Sequence, residues 1–176
     1  MDASTRTDGI TLSSPSAEDG LLLHDLVRQC KPLDENSLYC NLLQCFHFAG
    51  TSAVAKQGGV LVGMATGYLV PERRDTLFVW QMAVAASVRG RGLAKALLMS
   101  ILQRPVCSDV RYMEASVIPQ NQASRAVFSG LAGDLNTHCN ESVLFEQDRH
   151  FHGRHETELL LKLGPFSLPK TEGTGV

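Results

Sequence analysis

Gln81-Met-Ala-Val-Ala85-Ala-Ser-Val-Arg89-Gly-Arg-Gly92-Leu-Ala94-Lys-Ala-Leu-Leu98 decides the fold of this chain. The apolar run from Thr76 to Ala85 reads as a strand. It breaks at Arg89-Gly90-Arg91-Gly92, and a helical period of apolar residues then continues to Leu102. Strand, glycine turn and helix start together form an anion cradle. Gly90 and Gly92 allow backbone to approach a ligand without a Cβ in the way, and the N–H groups at a helix start, here Leu93 and Ala94, carry about half a positive charge. Arg89, Arg91 and Lys95 add cations around the turn, so a polyphosphate is the expected guest.

The spacing excludes two common phosphate binders. There is no G-x-x-x-x-G-K-[ST], so the lysine and hydroxyl of a nucleoside triphosphatase are missing; nor is there a G-x-G-x-x-G with its following acidic residue. What remains is R-x-x-G-x-A, at Arg89, Gly92 and Ala94. Taken alone, it is also compatible with a plain helix that begins on glycine.

Composition narrows the class further. A chain of 176 residues with a formal net charge of −2 is the size of one domain and has no broad positive field for nucleic acid or anionic membrane. No apolar run reaches the length of a membrane span, and the first residues lack a signal-peptide core, so a cytoplasmic location is expected. Five cysteines with no C-x-x-C pair argue for reduced, mostly buried thiols. His150-Phe-His152-Gly-Arg-His155 is rich in imidazole, but no cysteine or carboxylate pattern completes a ligand set, and no metal is expected.

Along the chain, 1–9 and 167–176 read as frayed tails around one domain, 10–166. A short strand at Ile10–Leu12 precedes the capping-box pattern Ser16–Asp19 and a helix ending near Cys30, before Lys31-Pro32. A second helical stretch is predicted from Leu33-Asp34, with Tyr39, Leu42, Leu43 and Phe46 on one face. Thr51–Lys56 and Val60–Val70 flank Gly58-Gly59 as a hairpin, and Pro71–Asp75 reads as a charged turn before the Thr76 strand. After the Gly92–Leu102 helix come a strand at Val110–Val117, a helix at Asn121–Ala132, and strands at Ser142–Glu146 and Thr157–Leu163. The order is α/β (α+β), with a mixed twisted sheet flanked by helices.

Asn121-Gln-Ala-Ser124-Arg-Ala-Val-Phe128 follows the Val110 strand. With Arg89-x-x-Gly92-x-Ala94, it resembles the two recurrent segments of the GNAT acetyltransferases, whose element order this chain also shares. The resemblance implies a GNAT-type acyl-CoA N-acyltransferase fold with acetyl-CoA as co-substrate. It also implies that Met82, Ala83, Val84, Arg89, Gly90, Arg91, Gly92, Leu93, Ala94, Asn121, Ser124 and Phe128 line the coenzyme. Cys30-Lys-Pro-Leu-Asp34-Glu-Asn-Ser37-Leu-Tyr39, Thr76-Leu-Phe-Val-Trp80-Gln-Met-Ala-Val84, Ile118-Pro-Gln-Asn121-Gln-Ala-Ser124 and Gly153-Arg-His155-Glu156-Thr-Glu158 are similar to one GNAT family, the L-2,4-diaminobutyrate acetyltransferases of ectoine biosynthesis. That likeness runs from about Ile10 to Pro165. It implies a small diamine as acceptor, a substrate pocket of Asp34, Tyr39, Trp80, Glu114, Ser116, His155 and Glu158, and a homodimer.

The acceptor amine must lose a proton before it attacks a thioester. With a lysine-like pKa of about 10.4, neutrality near pH 7.4 costs on the order of 4 kcal/mol, and a carboxylate is the ordinary means of taking the proton. Glu114, mid-strand, is the expected base, although alternation leaves open which face it takes. The 81–85 strand should offer N–H groups of Met82 and Val84 to the thioester oxygen. Many GNAT enzymes have a tyrosine where this chain has Phe128; Tyr39 is the expected alternative acid, or the thiolate leaves unaided. Another amine acceptor, or a noncatalytic acyl-CoA sensor, fits the coenzyme segments equally.

Overall fold

The computed structural model describes residues 6–7, 9–31 and 33–168. In chain order it forms β1 (Arg6–Thr7), β2 (Ile10–Ser13), α1 (Gly20–Gln29), α2 (Leu38–His47), β3 (Ala53–Gln57), β4 (Val60–Val70) and β5 (Arg73–Val84). Then follow α3 (Leu93–Leu102), β6 (Tyr112–Val117), α4 (Gln122–Asp134), β7 (Cys139–Phe145) and β8 (Glu158–Leu163). Among the described residues the strands make one sheet of eight in the order β1-β2-β3-β4-β5-β6-β8-β7, in which only β5 and β6 run parallel.

Helices cover both faces of the sheet, each with its own apolar cluster. α1 sets Leu23, Leu26 and Val27 against Val54, Leu61 and Met64, while α3 and α4 set Leu97, Leu98, Ile101, Phe128 and Leu131 against Ala55, Val62, Leu77 and Met113. β4 is therefore buried on both sides, which explains its unbroken apolar run rather than an alternating one. A Cβ on Gly63 would stand 3.1 Å from Leu93 and 3.3 Å from Leu97, so the glycine lets α3 lie close on β4. That contact seats the start of α3 beside the end of β5.

The seam between β5 and β6 opens part-way along. Pairing runs from Thr76↔Tyr112 to Val79↔Ala115 and stops, although β5 continues to Val84 and β6 to Val117. Trp80 is the extra residue of a bulge, because the β4 register jumps from Thr66↔Gln81 to Gly67↔Val79. A bulge bends and twists its strand. Beyond it, β5 stays with β4, β6 stays with β8, and a wedge opens between them.

Three local expectations need correction. Leu33 to Ser37 is not helical: Ser37, not Asp34, caps α2, its hydroxyl accepting from the Cys40 N–H at 3.1 Å. β5 begins at Arg73, inside the stretch expected as a charged turn, because the extended β4 partner carries the pairing to Val70↔Arg73. Arg6 and Thr7, expected to fray, pair with Thr11 and Ile10; the rest of both tails, and Pro32, lie outside the described residues except for Gly9, Ser167 and Leu168.

Candidate active site

The wedge is the mouth of a cavity of about 740 Å³, in the range of small-molecule and cofactor sites. Its phosphate end is built by the glycine turn. Gly90 and Gly92 have φ of +76° and +75°, which a side chain would strain, and nothing lies within 4 Å of where either Cβ would stand. Conformation, not crowding, demands glycine, and the space above the turn stays open. α3 has neither a side-chain cap at Gly92 nor an acidic residue in its first turn, so its positive end is uncompensated. That arrangement suits an anion.

The middle of the cavity is formed by the unpaired side of β5. The Ala85 N–H donates to Val62 on β4, and alternation therefore turns Val84 and Met82 toward the wedge. The Val84 carbonyl confirms the direction, since it accepts from Arg89 Nε at 2.9 Å and from the Cys30 thiol at 3.5 Å. The N–H groups of Met82 and Val84 are thus aimed into the cavity. Opposite them stand Asn121, Ser124 and Phe128; Asn121 caps α4 by accepting from the Ser124 N–H at 3.1 Å, and Phe128 is also core.

At the other end, Asp34, Trp80, Ser116, His155 and Glu158 meet around the bulge. They come from the α1–α2 loop, β5, β6, the loop before β8, and the start of β8. His155 Nδ1 donates to the Glu156 carbonyl at 2.8 Å, while Nε2 lies 3.3 Å from Asp34 Oδ2 and 3.8 Å from Glu158 Oε1. Both ring nitrogens thus face acceptors. The Glu156 carbonyl first, and the Asp34 carboxylate after it, raise the His155 pKa above its ordinary value. The Glu158 carboxyl is pushed up by burial, against the Ser116 hydroxyl and His155, which favour its ionised form. Asp34 is 84% exposed at the side chain and Glu158 only 15%, so the cluster runs from the mouth inward. Trp80 is not core: it is half-exposed, with its ring edge-on to Phe48 and Tyr68.

Of the expected site residues, three lie outside the cavity lining. Glu114 is buried behind the seam, because it pairs with Phe78 below the point where β5 and β6 part. The Arg73 guanidinium grips it at 2.6 and 2.9 Å and Lys162, its β8 neighbour, lies 3.4 Å away. The hydrogen bond from Arg73, then that cation's charge with the help of Lys162, outweighs burial and holds the carboxyl below the usual glutamate range. A carboxylate so held is a poor proton acceptor. Glu114→Gln is expected to lower folding stability by about 1–3 kcal/mol near pH 7 while kcat changes less than about twofold. The stability gap should narrow as pH falls through the depressed Glu114 range, since protonation removes the same interaction; thermal melts at several pH values measure it.

Tyr39 is 70% exposed in the first turn of α2, and Arg91 turns back to the Ser87 carbonyl at 3.5 Å. Neither lines the cavity. Lys95 does, with its ammonium 2.6 Å from Asp134. Lining residues that sequence reasoning did not assign to the site include Cys30, Lys31, Leu33, Ile118 and Gln81. All five fall within the segments that carry the family likeness, and Gln81 also stands out as a polar residue inside an apolar strand. All five cysteines are free thiols, and burial raises Cys45 and Cys107 to about 11. Among the described residues no group of three or more His, Cys, Asp or Glu could hold a metal ion, and no helix is long and apolar enough to cross a membrane.

Comparison with known proteins agrees with this geometry. Residues 21–132 match the model of the acetyltransferase (GNAT) family. The L-2,4-diaminobutyric acid acetyltransferase of Methylotuvimicrobium alcaliphilum is 52% identical over 157 residues, covering 89% of this chain and 91% of that protein. The enzyme of the same name from Bordetella parapertussis is 46% identical over 159 residues, covering 90% and 86%. The diaminobutyrate acetyltransferase of Paenibacillus lautus, solved with its substrate L-2,4-diaminobutyric acid and coenzyme A, superposes with a TM-score of 0.85 at 36% identity, covering 91% of this chain and 97% of that one. The glycine turn and the helix behind it lie within the matched residues, and this chain belongs to the GNAT acetyltransferase family.

Proposed function

We propose that this enzyme transfers the acetyl group of acetyl-CoA to the 4-amino group of L-2,4-diaminobutyrate, giving N4-acetyl-L-2,4-diaminobutyrate for ectoine biosynthesis. The observation that carries the acceptor is the meeting of two carboxylates, Asp34 and Glu158, around His155 beside the open edge of β5. A small zwitterion with two ammonium groups and one carboxylate uses such a pair for its two cations. Polyphosphate recognition alone would not ask for it.

Acetyl-CoA, when bound, supplies the thioester under attack. The glycine turn and the α3 start hold its phosphates, and Met82 and Val84 offer their N–H groups where negative charge develops on the carbonyl oxygen. Glu158 takes the proton of the 4-ammonium group. Burial makes this carboxylate more basic than usual, and Ser116 and His155 keep it ionised and oriented. Asp34, at the mouth, pairs with the remaining ammonium. No phenol is required on the leaving side: a thiol pKa of about 8.5 makes the thiolate a tolerable leaving group, and Phe128 keeps that wall apolar.

Asp34→Ala is expected to raise the KM for diaminobutyrate about tenfold or more with little change in the KM for acetyl-CoA, measured by steady-state thiol release. The acceptor itself is tested by incubating acetyl-CoA with diaminobutyrate, ornithine, lysine, spermidine and an aminoglycoside. Diaminobutyrate should give the highest kcat/KM. Turnover of another amine without turnover of diaminobutyrate would overturn the reading, and acetyl-CoA binding without thiol release on any amine would favour a sensor. The enzyme acts in the cytoplasm as a homodimer on this reading, and sedimentation equilibrium tests the dimer.

A further inference from the structure

Gln81 is nearly buried on β5, next to the bulge at Trp80, and both ends of its amide are used. Its Oε1 accepts from Asn36 Nδ2 at 3.0 Å, and its Nε2 donates to the Asp34 main-chain carbonyl at 2.7 Å. Both partners lie in the non-helical stretch between α1 and α2 that leads to the Ser37 cap. The Asp34 side chain is 84% exposed, so packing does not set its position. Its backbone must be held instead. Leu33, just before it, rests on the α1 core cluster, Ser37 fixes the far end, and Gln81 ties the middle to the strand that also carries the Met82 N–H.

We propose that Gln81 is a positioning residue that clasps the Asp34 loop to β5 and so sets the acceptor end of the site in register with the thioester end. The proposal rests on the acceptor reading above. Only a side chain with a donor and an acceptor at its tip, on this stem length, makes both bonds. Glutamate would keep the bond from Asn36 but set a second oxygen against the Asp34 carbonyl, and leucine would make neither bond. A site built on a loop gains its precision from such supports.

The test uses the full-length protein with Gln81→Leu, Gln81→Glu, Asn36→Ala and the Asn36→Ala/Gln81→Leu double variant. Steady-state KM and kcat are measured for each substrate, and amide hydrogen exchange of 33–37 is followed in the acceptor-free protein. Gln81→Leu and Gln81→Glu should raise the diaminobutyrate KM about tenfold, and Asn36→Ala about threefold, with the acetyl-CoA KM moving less than about twofold. The double variant should be no worse than Gln81→Leu, and exchange in 33–37 should quicken in all variants. Unchanged diaminobutyrate KM, or equal losses toward both substrates, would overturn the clasp. So would additive losses in the double variant, which would mean that Gln81 meets the substrate directly. If Gln81→Leu fails to fold, Gln81→Glu and Asn36→Ala decide. If the wild-type protein leaves diaminobutyrate untouched, the acceptor reading fails by itself, and the exchange of 33–37 still decides the clasp.

Discussion

Replacing Glu158 by glutamine is expected to lower kcat on diaminobutyrate by about 10²–10⁴-fold, with acetyl-CoA affinity and the melting temperature close to those of the wild type. The substitution keeps shape and reach but removes the negative charge, and with it the ability to take a proton. The lost factor is the one a positioned base contributes. The pH profile gives an independent reading with a definite sign. Burial raises the Glu158 carboxyl above its ordinary value, so kcat/KM for the wild type should climb as pH rises through that raised carboxylate range and the residue ionises. In Glu158→Gln that limb should vanish. The same profile for Glu114→Gln should keep it, because the Arg73 guanidinium lowers the Glu114 carboxyl while burial raises that of Glu158. A full-rate Glu158→Gln enzyme with an unaltered limb would remove Glu158 from the chemistry.

Gly92→Asp should abolish coenzyme binding, with a rise in Kd of at least about 100-fold by calorimetry. Two effects add. A φ of +75° strains any side chain by about 1–2 kcal/mol, and the carboxylate would enter the open space that the phosphates need, at the positive end of α3. Gly92→Ala separates them, because it carries the strain without the charge; it should weaken binding by about tenfold and lower the melting temperature slightly. An aspartate with wild-type affinity would show that the anion sits elsewhere.

How far the sequence was legible depended on the range of each interaction. The turn at Gly58-Gly59, the strand–glycine–helix unit at Val84 to Leu93 and the helix that begins at Asn121 are local, and each was expected close to where it stands. Asp34 and Ser37 are both good caps, and which one closes α2 is decided by how Gln81 draws the loop toward β5, a contact 47 residues distant. Glu114 shows the same limit. Alternation along β6 gives the two faces but not the register at which β5 leaves it, and that register separates a buried ion pair from a cavity wall. Asp34 and His155 meet across 121 residues; no spacing rule joins them, and only their likeness to a known pattern did.

The most direct measurement is the structure of the product. Wild-type enzyme, acetyl-CoA and L-2,4-diaminobutyrate should give, by NMR of the quenched reaction, one equivalent of coenzyme A thiol for each acetyl group, with the acetyl carried on the 4-amino nitrogen. An acetyl group on the 2-amino nitrogen, or thiol release without an acetylated diamine, would contradict an acceptor site built from Asp34, His155 and Glu158.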